Sequence, residues 1–536
     1  MRITRHFVTV GRRRVHYLRA GSGPALALLH ACPCSAKVMR PLMPVFGEKF
    51  TCLAFDMPGF GLSDKLPQRT PTVEDFADAL AETLDALGVE HLATYGRHTG
   101  ASIAVEFAAR HPKRAAMALA DGYAVFAKRY TDAQLDAYLE PIVPVWDGGH
   151  LLRLWARYRD QHAFWPWNNQ TAAARSDADI PDVGFLHRGV IKMLEAGNDY
   201  RIGYAAPFRH RALDVLQDLE VPVCFGNRPG DSMYLTRPLY PASAWQEVMP
   251  REPGPAMLAE RVILSKHPAR GAPPAPPRCA PLPGRTTTDY VDIGGMQLFV
   301  RFGKIEKSPL VIVHHAPGSS ALYDDLVLEA GNAIALDLPG HGESEPLPGN
   351  PQDPASLAVS VQSALEKLGI GELRIYAHNG GAAVAVELAH RLGKRALGVT
   401  LDAPIFLGNE DSSFISRYAP DVQPVWEGSH WLRAWNHIRD SELWWPWFER
   451  THKNVIKAGH RIDPHALTLR VRETMKQPAS YGPAWQAALS YPWRERIKGL
   501  EKKIRYIASP QDIFAHLTPD AVKVGDSARS KAQFIR

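Results

Sequence analysis

A single histidine stands where a strand pattern gives way to a helix pattern, in the stretch "TYGRHTGAS" from Thr94 to Ser102. This residue, His98, is flanked by Gly96 and Gly100. An imidazole with an ordinary pKa near 6.5 is largely neutral in neutral solution, so it can attack a carbonyl or take a proton from water. His98 is therefore the first candidate for chemistry in this chain.

A second chemical signal is a set of cationic residues at helical spacing. In "GHLLRLWARYRD" the side chains of His150, Arg153 and Arg157 recur so that they share one face of a helix. Such a face suits a carboxylate or another anionic substrate, and the neighbouring tryptophans suit an aromatic body. The alternative is structural: the tryptophans form a core, and the charged residues brace it. The pattern alone does not decide between the two.

The segment that contains this face occurs twice. "PVWDGGHLLRLWARYRDQHAFWPW", from Pro144, returns without a gap as "PVWEGSHWLRAWNHIRDSELWWPW", from Pro424. "AFDMPGFGLSD" from Ala54 and "ALDLPGHGESE" from Ala335 form a second pair at nearly the same offset. Self-similarity of this extent indicates a tandem duplication.

The two copies are separated by a segment rich in proline and glycine. Residues 267–288, "HPARGAPPAPPRCAPLPGRTTT", cannot form a helix or a central strand, so we expect a linker there. Copy one then spans about residues 1–266, and copy two about 289–536. Within each copy, short apolar strands such as "ALALLH" alternate with helical patterns such as "TVEDFADALAETLDALG". This alternation predicts a mainly parallel sheet flanked by helices.

Three motifs, each present in both copies, resemble those of the α/β-hydrolase superfamily. "LLHACPCS" and "IVHHAPGSS" resemble its HGxPxS oxyanion loop, and "DMPGFGLSD" and "DLPGHGESE" resemble its DxxGxGxS turn. "YGRHTGA" and "YAHNGGA" occupy the context of its GxSxG nucleophile elbow. The resemblance covers almost all of each copy. It implies two consecutive α/β-hydrolase folds, each with a helical cap, over about 124–213 and 405–496. We also expect the copies to pack as an intramolecular pseudo-dimer.

The elbow lacks its serine in both copies, since His98 stands there in copy one and Asn379 in copy two. The resemblance implies acid positions after the sixth and seventh strands of each copy: Asp121, Asp231, Asp402 and Asp512. The family's triad histidine is missing as well. "REPGPAM" follows the strand "WQEVMP" in copy one, and copy two ends near the corresponding strand, at "KAQFIR".

The missing serine and the missing histidine have one common explanation. A serine needs an outside base, whereas an imidazole does not. We hypothesise that His98 acts alone, as nucleophile or as general base, with Asp121 or Asp231 fixing its tautomer. The positive end of the following helix and the neighbouring Arg97 both disfavour the imidazolium, which predicts a neutral ring.

The oxyanion loops add further candidates, again through the resemblance. His30 and His314 begin the two loops, and in the family the histidine at this place braces the loop. The backbone N–H groups of Cys32 and Thr99 would meet the developing negative charge in copy one. The glycine that usually follows the loop histidine is replaced in both copies.

The sequence thus predicts an unconventional enzyme that cleaves an ester-like or carbonyl-adjacent bond of a small aromatic or anionic molecule. Two alternatives stay open. One is a lyase, decarboxylase or cofactor-free oxygenase that uses His98 as a base, and the other is a catalytically silent binding protein. Copy two, with an amide at its elbow, is expected to be a structural or substrate-binding half. No Rossmann, P-loop, HExxH or paired CxxC motif occurs, so we expect no cofactor and no metal.

Composition argues against other classes of protein. The 62 Lys and Arg residues are scattered and nearly balanced by 56 acidic ones, which argues against a nucleic-acid partner. No apolar run approaches the roughly 18 residues that cross a bilayer, and the opening residues lack the apolar core of a signal peptide. We expect a cytoplasmic protein without a membrane partner, its five cysteines reduced.

Overall fold

The computed structural model describes residues 1–126, 129–217, 219–407, 412–456, 462–500, 504–510 and 512–527. The chain divides into two compact units, of which the first comprises Met1–Val143 and Arg153–Ala280, and the second Pro144–Leu152 and Pro281–Arg536. The segment Pro144–Leu152 belongs to copy one by repeat but to the second unit by its contacts. Within that unit, the indole N–H of Trp435 donates to the carbonyl of Trp146 at 3.2 Å.

Copy one is built on an eight-stranded sheet with the order β1-β2-β4-β3-β5-β6-β7-β8. Its strands are β1 Thr4–Val10, β2 Arg13–Ala20, β3 Ala25–Leu29, β4 Thr51–Phe55, β5 Leu92–Arg97, β6 Ala115–Asp121, β7 Val223–Asn227 and β8 Trp245–Val248. The pairs β1/β2 and β2/β4 are antiparallel, and all other pairs of this sheet are parallel. This confirms the mainly parallel sheet that the alternating pattern predicted.

The apolar runs of the sequence occupy the middle of this sheet. Every residue of β3 and of β4 is buried, as expected for parallel strands covered on both faces. The helices of copy one are α1 Leu42–Phe46, α2 Val73–Ala86, α3 Thr99–Arg110, α4 Asp132–Tyr138, α5 Gly149–Asp160, α6 Val183–Ala196, α7 Tyr200–Arg209, α8 Ala212–Val215 and α9 Pro253–Leu264. A capping box formed by Thr72 and Asp75 starts α2, the helix predicted from "TVEDFADALAETLDALG".

Copy two repeats the same strand order over seven strands, β15-β14-β13-β11-β12-β10-β9. Its strands are β9 Thr287–Asp292, β10 Gln297–Phe302, β11 Leu310–Val313, β12 Ala333–Leu336, β13 Leu373–His378, β14 Ala396–Asp402 and β15 Ile504–Ile507. Its helices are α10 Asp324–Ala330, α11 Pro354–Lys367, α12 Gly381–Leu392, α13 Ser412–Tyr418, α14 Ser429–Ser441, α15 Pro464–Met475, α16 Tyr481–Leu489, α17 Trp493–Lys498 and α18 Thr518–Ser527. The segment "KAQFIR", named above as the end of copy two, lies outside the described residues.

The segment between the copies is irregular over most of the linker predicted for residues 267–288, but its last two residues, Thr287 and Thr288, begin β9. Residues 267–286, all of them described, contain neither helix nor strand. Its first part lies along unit 1, because the carbonyl of Gly271 accepts from the backbone N–H of Ala25 at 3.0 Å. Among the described helices of the chain, none has the length and apolar character required to span a membrane.

Candidate active site

His98 alone forms the turn between β5 and α3. Its φ is +50°, a left-handed conformation that costs a residue with a side chain about 1–2 kcal/mol. The turn is tight enough to require small neighbours. A Cβ on Gly96 would lie 2.0 Å from the carbonyl oxygen of Gly100, and a Cβ on Gly100 would lie 2.1 Å from that of Leu29. The two glycines are therefore what allows this sharp turn with a histidine at its centre.

The imidazole of His98 meets the acid that follows β7. Nε2 of His98 lies 2.7 Å from Oδ2 of Asp231, and Oδ1 of Asp231 accepts from the backbone N–H of Met233 at 2.8 Å. A carboxylate can only accept, so this contact holds the proton on Nε2 and leaves the lone pair of the neutral ring on Nδ1. Within the described part of the chain Nδ1 has no hydrogen-bond partner. The ring can therefore offer Nδ1 to a ligand.

The electrostatics of His98 differ from the expectation. Burial lowers the pKa of His98, as does Arg97, but the charge of Asp231 and its hydrogen bond outweigh them and raise that pKa above 6.5. The prediction that the helix dipole and Arg97 lower the pKa of His98 is wrong, because it did not include the carboxylate of Asp231 at hydrogen-bond distance. Burial by itself would raise the pKa of Asp231. The charge of His98 and the hydrogen bond between the two side chains outweigh burial and lower that pKa.

Asp121, the other acid considered for His98, serves a different cluster. Its Oδ2 accepts from the hydroxyl of Tyr95 at 3.1 Å and lies 3.3 Å from Nη2 of Arg228 and 3.5 Å from Nε of Arg97. Arg228 also binds the fully buried Glu260 at 2.8 Å. Burial, followed by the charge of Asp121, raises the pKa of Glu260. Asp121 and Glu260 thus hold the two arginines in place, and only Asp231 contacts the imidazole.

His98 lines a cavity of about 500 Å³. The cavity is bounded by the oxyanion loop, the elbow, the cap and the loop after β7, and its polar lining includes Arg97, His98, Gln161, His162, Arg228 and Asp231. The Arg97 side chain is 43% exposed, so its guanidinium is accessible from the cavity. Nε2 of His162 is buried and has no hydrogen-bond partner in the described residues. Burial, together with Arg97 and His98, lowers the pKa of His162 to about 4, so this ring is neutral. The sequence alone did not identify Arg97 or His162 as residues that line this cavity.

The oxyanion loop of copy one is held by its first residue. Nε2 of His30 accepts from the backbone N–H of Met57 at 3.0 Å, and Nδ1 donates to the carbonyl of Ala31 at 2.9 Å. The backbone N–H groups of Cys32 and Thr99 have no hydrogen-bond partner among the described residues. Two free donors near the elbow are what an oxyanion hole requires. Burial raises the pKa of the Cys32 thiol, which keeps that group protonated and argues against a thiolate nucleophile.

Two of the three residues singled out on the helix face of α5, His150 and Arg153, have partners away from the cavity of copy one. Nε2 of His150 lies 2.9 Å from Oγ1 of Thr468, and its ring packs edge-on against Trp435 at 5.1 Å, all within the second unit. Arg153 forms an ion pair with Glu140. Of the two interpretations of this helix face, these contacts favour the structural one, because neither His150 nor Arg153 lines the cavity of copy one. Spacing along a helix does not tell which surface the face meets. In copy one the cavity receives its cations from Arg97 and Arg228 instead.

In copy two, the histidine that contacts the acid lies one position before the centre of the elbow. Nε2 of His378 lies 2.8 Å from Oδ2 of Asp512. Asn379, with φ +43°, donates from its side-chain amide to Asp512 at 3.1 Å and to the carbonyl of Ala403 at 3.0 Å. Asn379 thus positions the acid. His378 was part of the quoted elbow, but the search for a residue in place of serine passed over it.

A tyrosine extends this pair into a chain of hydrogen bonds. The hydroxyl of Tyr323 lies 2.8 Å from Nδ1 of His378 and accepts from the backbone N–H of His315 at 3.0 Å. Tyr323, His378 and Asp512 line a cavity of about 360 Å³ in copy two. No sequence signal pointed to Tyr323, because it lies outside the recognised motifs.

The remaining candidates of copy two have structural contacts. His314 repeats the contacts of His30, since it accepts from the backbone N–H of Leu338 at 2.9 Å and donates to the carbonyl of His315 at 2.7 Å. Asp402 accepts from the hydroxyl of Tyr376 at 2.6 Å. The ring of His315, which replaces the usual glycine, accepts from the backbone N–H of Gly380 at 3.2 Å. The donor that corresponds to Thr99 N–H is therefore occupied in copy two.

Comparison with known proteins identifies the class. Residues 24–192 and 308–461, together more than half of the chain, match the family described as alpha/beta hydrolase fold. The chain belongs to this family, and it contains the fold twice.

Individual relatives match over short segments. The chain is 33% identical over 111 residues to 2-(acetamidomethylene)succinate hydrolase of Mesorhizobium japonicum, over 20% of this chain and 40% of that protein. It is 36% identical over 106 residues to a soluble epoxide hydrolase of a Corynebacterium species, over 20% of this chain and 37% of that protein. The matched segments thus span about two fifths of these relatives' length. The crystal structure of E-2-(acetamidomethylene)succinate hydrolase aligns with a TM-score of 0.35 at 20% identity, over 49% of this chain and 97% of that one.

Proposed function

We propose that copy one is a hydrolytic enzyme in which His98 acts as a general base on water. The observation that carries this proposal is the contact of 2.7 Å between His98 Nε2 and Asp231 in the wall of a cavity of about 500 Å³. Asp231 fixes the tautomer and stabilises the imidazolium that forms, as the orienting acid of a triad does. The ring thereby performs, from the elbow, the task of the triad histidine that the sequence lacks.

Proton transfer suits this ring better than direct attack. Nδ1 is bonded to Cγ, the ring carbon attached to Cβ, so it is more crowded than Nε2. Nε2 already contacts Asp231. A water molecule between Nδ1 and a substrate carbonyl loses a proton to the ring as its oxygen bonds to the carbonyl carbon. The backbone N–H groups of Cys32 and Thr99 are suited to donate hydrogen bonds to the oxyanion that forms. When this tetrahedral intermediate collapses, the bond to the leaving oxygen breaks and the imidazolium returns its proton to that oxygen.

The cavity favours a small substrate with an anionic group. The accessible guanidinium of Arg97 offers a bidentate partner for a carboxylate, and its own contact with Asp121 is long, at 3.5 Å. Aromatic side chains, including Trp165 and Phe164, line another part of the cavity and suit an apolar or aromatic portion. An activated monoester of a dicarboxylic acid, such as 4-nitrophenyl hemisuccinate, combines these features as a probe.

The test compares wild-type protein with His98→Gln on this probe. General acid–base groups contribute about 10²–10⁴-fold, so we expect kcat/KM to fall by at least about 100-fold in His98→Gln. Rapid quench and mass spectrometry of the wild type should show no acyl group on the peptide that contains His98. An adduct there would assign a nucleophilic role instead, and full turnover by His98→Gln would refute the proposal. His111→Gln, which removes a histidine that directly follows α3 and pairs with Asp78 of α2, is the matched control.

A further inference from the structure

The chain of hydrogen bonds in copy two has a defined direction. The backbone N–H of His315 can only donate, so the oxygen of Tyr323 accepts there and its hydroxyl proton points to Nδ1 of His378. The carboxylate of Asp512 can only accept, so Nε2 of His378 carries the ring proton. Tyr323, His378 and Asp512 are thus aligned donor to acceptor, and the tyrosine oxygen retains one lone pair.

We infer that copy two is a second proton-transfer centre, in which Tyr323 takes a proton from a hydroxyl-bearing ligand. The ligand O–H gives its proton to the oxygen of Tyr323 while Tyr323 passes its own proton to Nδ1 of His378. The imidazolium that results is paired with Asp512, and the ligand is left as an oxyanion. This relay goes beyond the proposed function of copy one and does not depend on it.

The surroundings of the relay fit an aromatic alcohol. Arg470, which is 38% exposed and whose Nη1 contacts Glu442, lines the same cavity and can stabilise an oxyanion. Trp485 and Tyr481 supply flat apolar walls. Because the ring of His315 occupies the N–H of Gly380, this cavity lacks the free donor at that place that acyl transfer would use. The architecture therefore favours proton abstraction from a phenol over ester cleavage.

4-Nitrophenol tests this inference directly, because its ionised form absorbs visible light. The measurement uses the full chain in the His98→Gln background, at a pH slightly below that at which the free probe ionises. We expect bound probe to be ionised, and Tyr323→Phe or His378→Asn to reduce the ionised bound fraction by about tenfold, the equivalent of one pKa unit. Tyr491→Phe, which alters a tyrosine bound to Glu387 outside the cavity lining, should leave the signal unchanged. An equal signal in Tyr323→Phe, or no ionisation with an intact relay, overturns the inference.

A second, independent observation concerns a buried cluster in copy one outside the lining of the cavity. The side chain of His210 is 1% exposed, with Nδ1 3.8 Å from Oε1 of Glu74 and Nε2 3.6 Å from Oε2 of Glu106. Neither ring nitrogen, nor Oε2 of Glu106, has a hydrogen bond within the described residues. Buried polar atoms normally have hydrogen-bond partners, so three such atoms without one in a single cluster indicate a missing partner.

The duplication supplies an internal comparison. The glutamate of copy two that corresponds to Glu106 is Glu387, and it binds Arg496 through both oxygens, at 2.7 and 2.6 Å. By the same repeat, Val215 of copy one replaces Arg496. Copy one therefore keeps the buried glutamate, gains Glu74, and loses the arginine that neutralises it. A cation from solution would restore the balance.

The geometry points to a divalent transition-metal site, suited to Zn²⁺, formed by Glu74, Glu106 and His210. Their candidate ligand atoms all lie within 4.8 Å of one another, and carboxylate oxygens with an imidazole nitrogen are ligands that Zn²⁺ prefers. These three residues come from separate segments and form no spaced motif, so the sequence alone predicts no metal site.

Calorimetric titration of Zn²⁺ into chelator-treated full-length protein tests the site. We expect one binding event that Glu106→Gln weakens by at least about tenfold, since one charged ligand is lost. Val215→Arg, which copies the arginine of copy two, should abolish it. His452→Asn, at an exposed histidine, is the control. Unchanged Zn²⁺ affinity in both Glu106→Gln and Val215→Arg, or no binding by the wild type, overturns the site.

Discussion

Nε2 of His98 lies 2.7 Å from Oδ2 of Asp231, so the residue at the elbow itself contacts the acid. In copy two the corresponding acid, Asp512, receives a histidine from one position earlier, His378, at 2.8 Å. Each copy thus pairs a histidine of the elbow segment with the same acid position, although neither elbow has the serine. The two copies differ at the other ring nitrogen. Nδ1 of His98 has no hydrogen-bond partner among the described residues, whereas Nδ1 of His378 accepts from the hydroxyl of Tyr323.

The first prediction separates the two acids of copy one. Asp231→Asn should lower kcat/KM by about tenfold or more, because the ring loses its orienting carboxylate and the charge that stabilises its protonated form. Asp121→Asn should change kcat/KM much less than Asp231→Asn does. It should lower the free energy of unfolding instead, because it weakens the contacts with Tyr95 and Arg228. Steady-state kinetics and denaturant unfolding on the two variants check this. The reverse pattern would mean that Asp121 is the working partner.

The second prediction concerns Gly122, which borders the imidazole. A Cβ at Gly122 would lie 2.8 Å from Cδ2 and 3.0 Å from Nε2 of His98, and its φ is +67°. Gly122→Ala should therefore displace the ring and reduce kcat/KM by about tenfold, in addition to a stability loss of about 1–2 kcal/mol from the positive φ.

A matched control separates strain from displacement. Gly197 has a similar φ of +55°, but a Cβ there would meet nothing within 4 Å. Gly197→Ala should lower stability by about 1–2 kcal/mol without loss of activity. Equal activity losses in the two variants would show that the ring position does not matter.

The third prediction concerns recognition of the anion. Arg97→Met should raise KM for 4-nitrophenyl hemisuccinate by about tenfold relative to neutral 4-nitrophenyl acetate, since one charge-assisted contact is lost. Arg153→Met removes the exposed cap arginine that pairs with Glu140 and should leave this ratio unchanged. If Arg153→Met changed the ratio and Arg97→Met did not, the sequence-based assignment of the cap face would be restored.

The fourth prediction concerns the buried charges behind the cavity. Arg228→Met leaves Glu260 and Asp121 without this partner, and breaking a buried pair in this way costs about 3–5 kcal/mol. The pKa of Glu260 is raised, so its proton is bound more tightly in the folded state, and the deficit should shrink as the pH falls through that pKa. Arg228→Met/Glu260→Leu should recover most of the stability. A deficit that is independent of pH would contradict this account.

The fold could be predicted from the sequence because its signals are local or repeated. Apolar strands such as β3, the capping box of α2 and the three motifs are contiguous patterns, and the duplication presents each of the motifs twice. The elbow position of His98 followed from the same motifs, and the family resemblance gave Asp231 as one of two acid positions in copy one, without deciding between it and Asp121.

The residues that complete the two sites could not be predicted in this way. Arg97 and His162 face the cavity of copy one, and Tyr323 reaches His378 across copy two, only because the fold brings separate segments together. The pKa of His98 depends on Asp231, which is distant in sequence, so local electrostatics gave the wrong sign. The same reason applies to His150. The sequence pattern predicted its helix correctly, but it did not show that His150 contacts Thr468 rather than the cavity.

The most direct test of the central claim is the pH dependence of kcat/KM for 4-nitrophenyl acetate, a probe without a charge of its own, in wild type and Asp231→Asn. A base works only as the neutral ring, so the rate should fall as the pH drops through the pKa of His98. Because that pKa is raised above 6.5, the acidic limb of the wild type should have its midpoint above 6.5, and Asp231→Asn should move the midpoint to lower pH. Identical midpoints in the two proteins would contradict the claim that His98, held by Asp231, is the base.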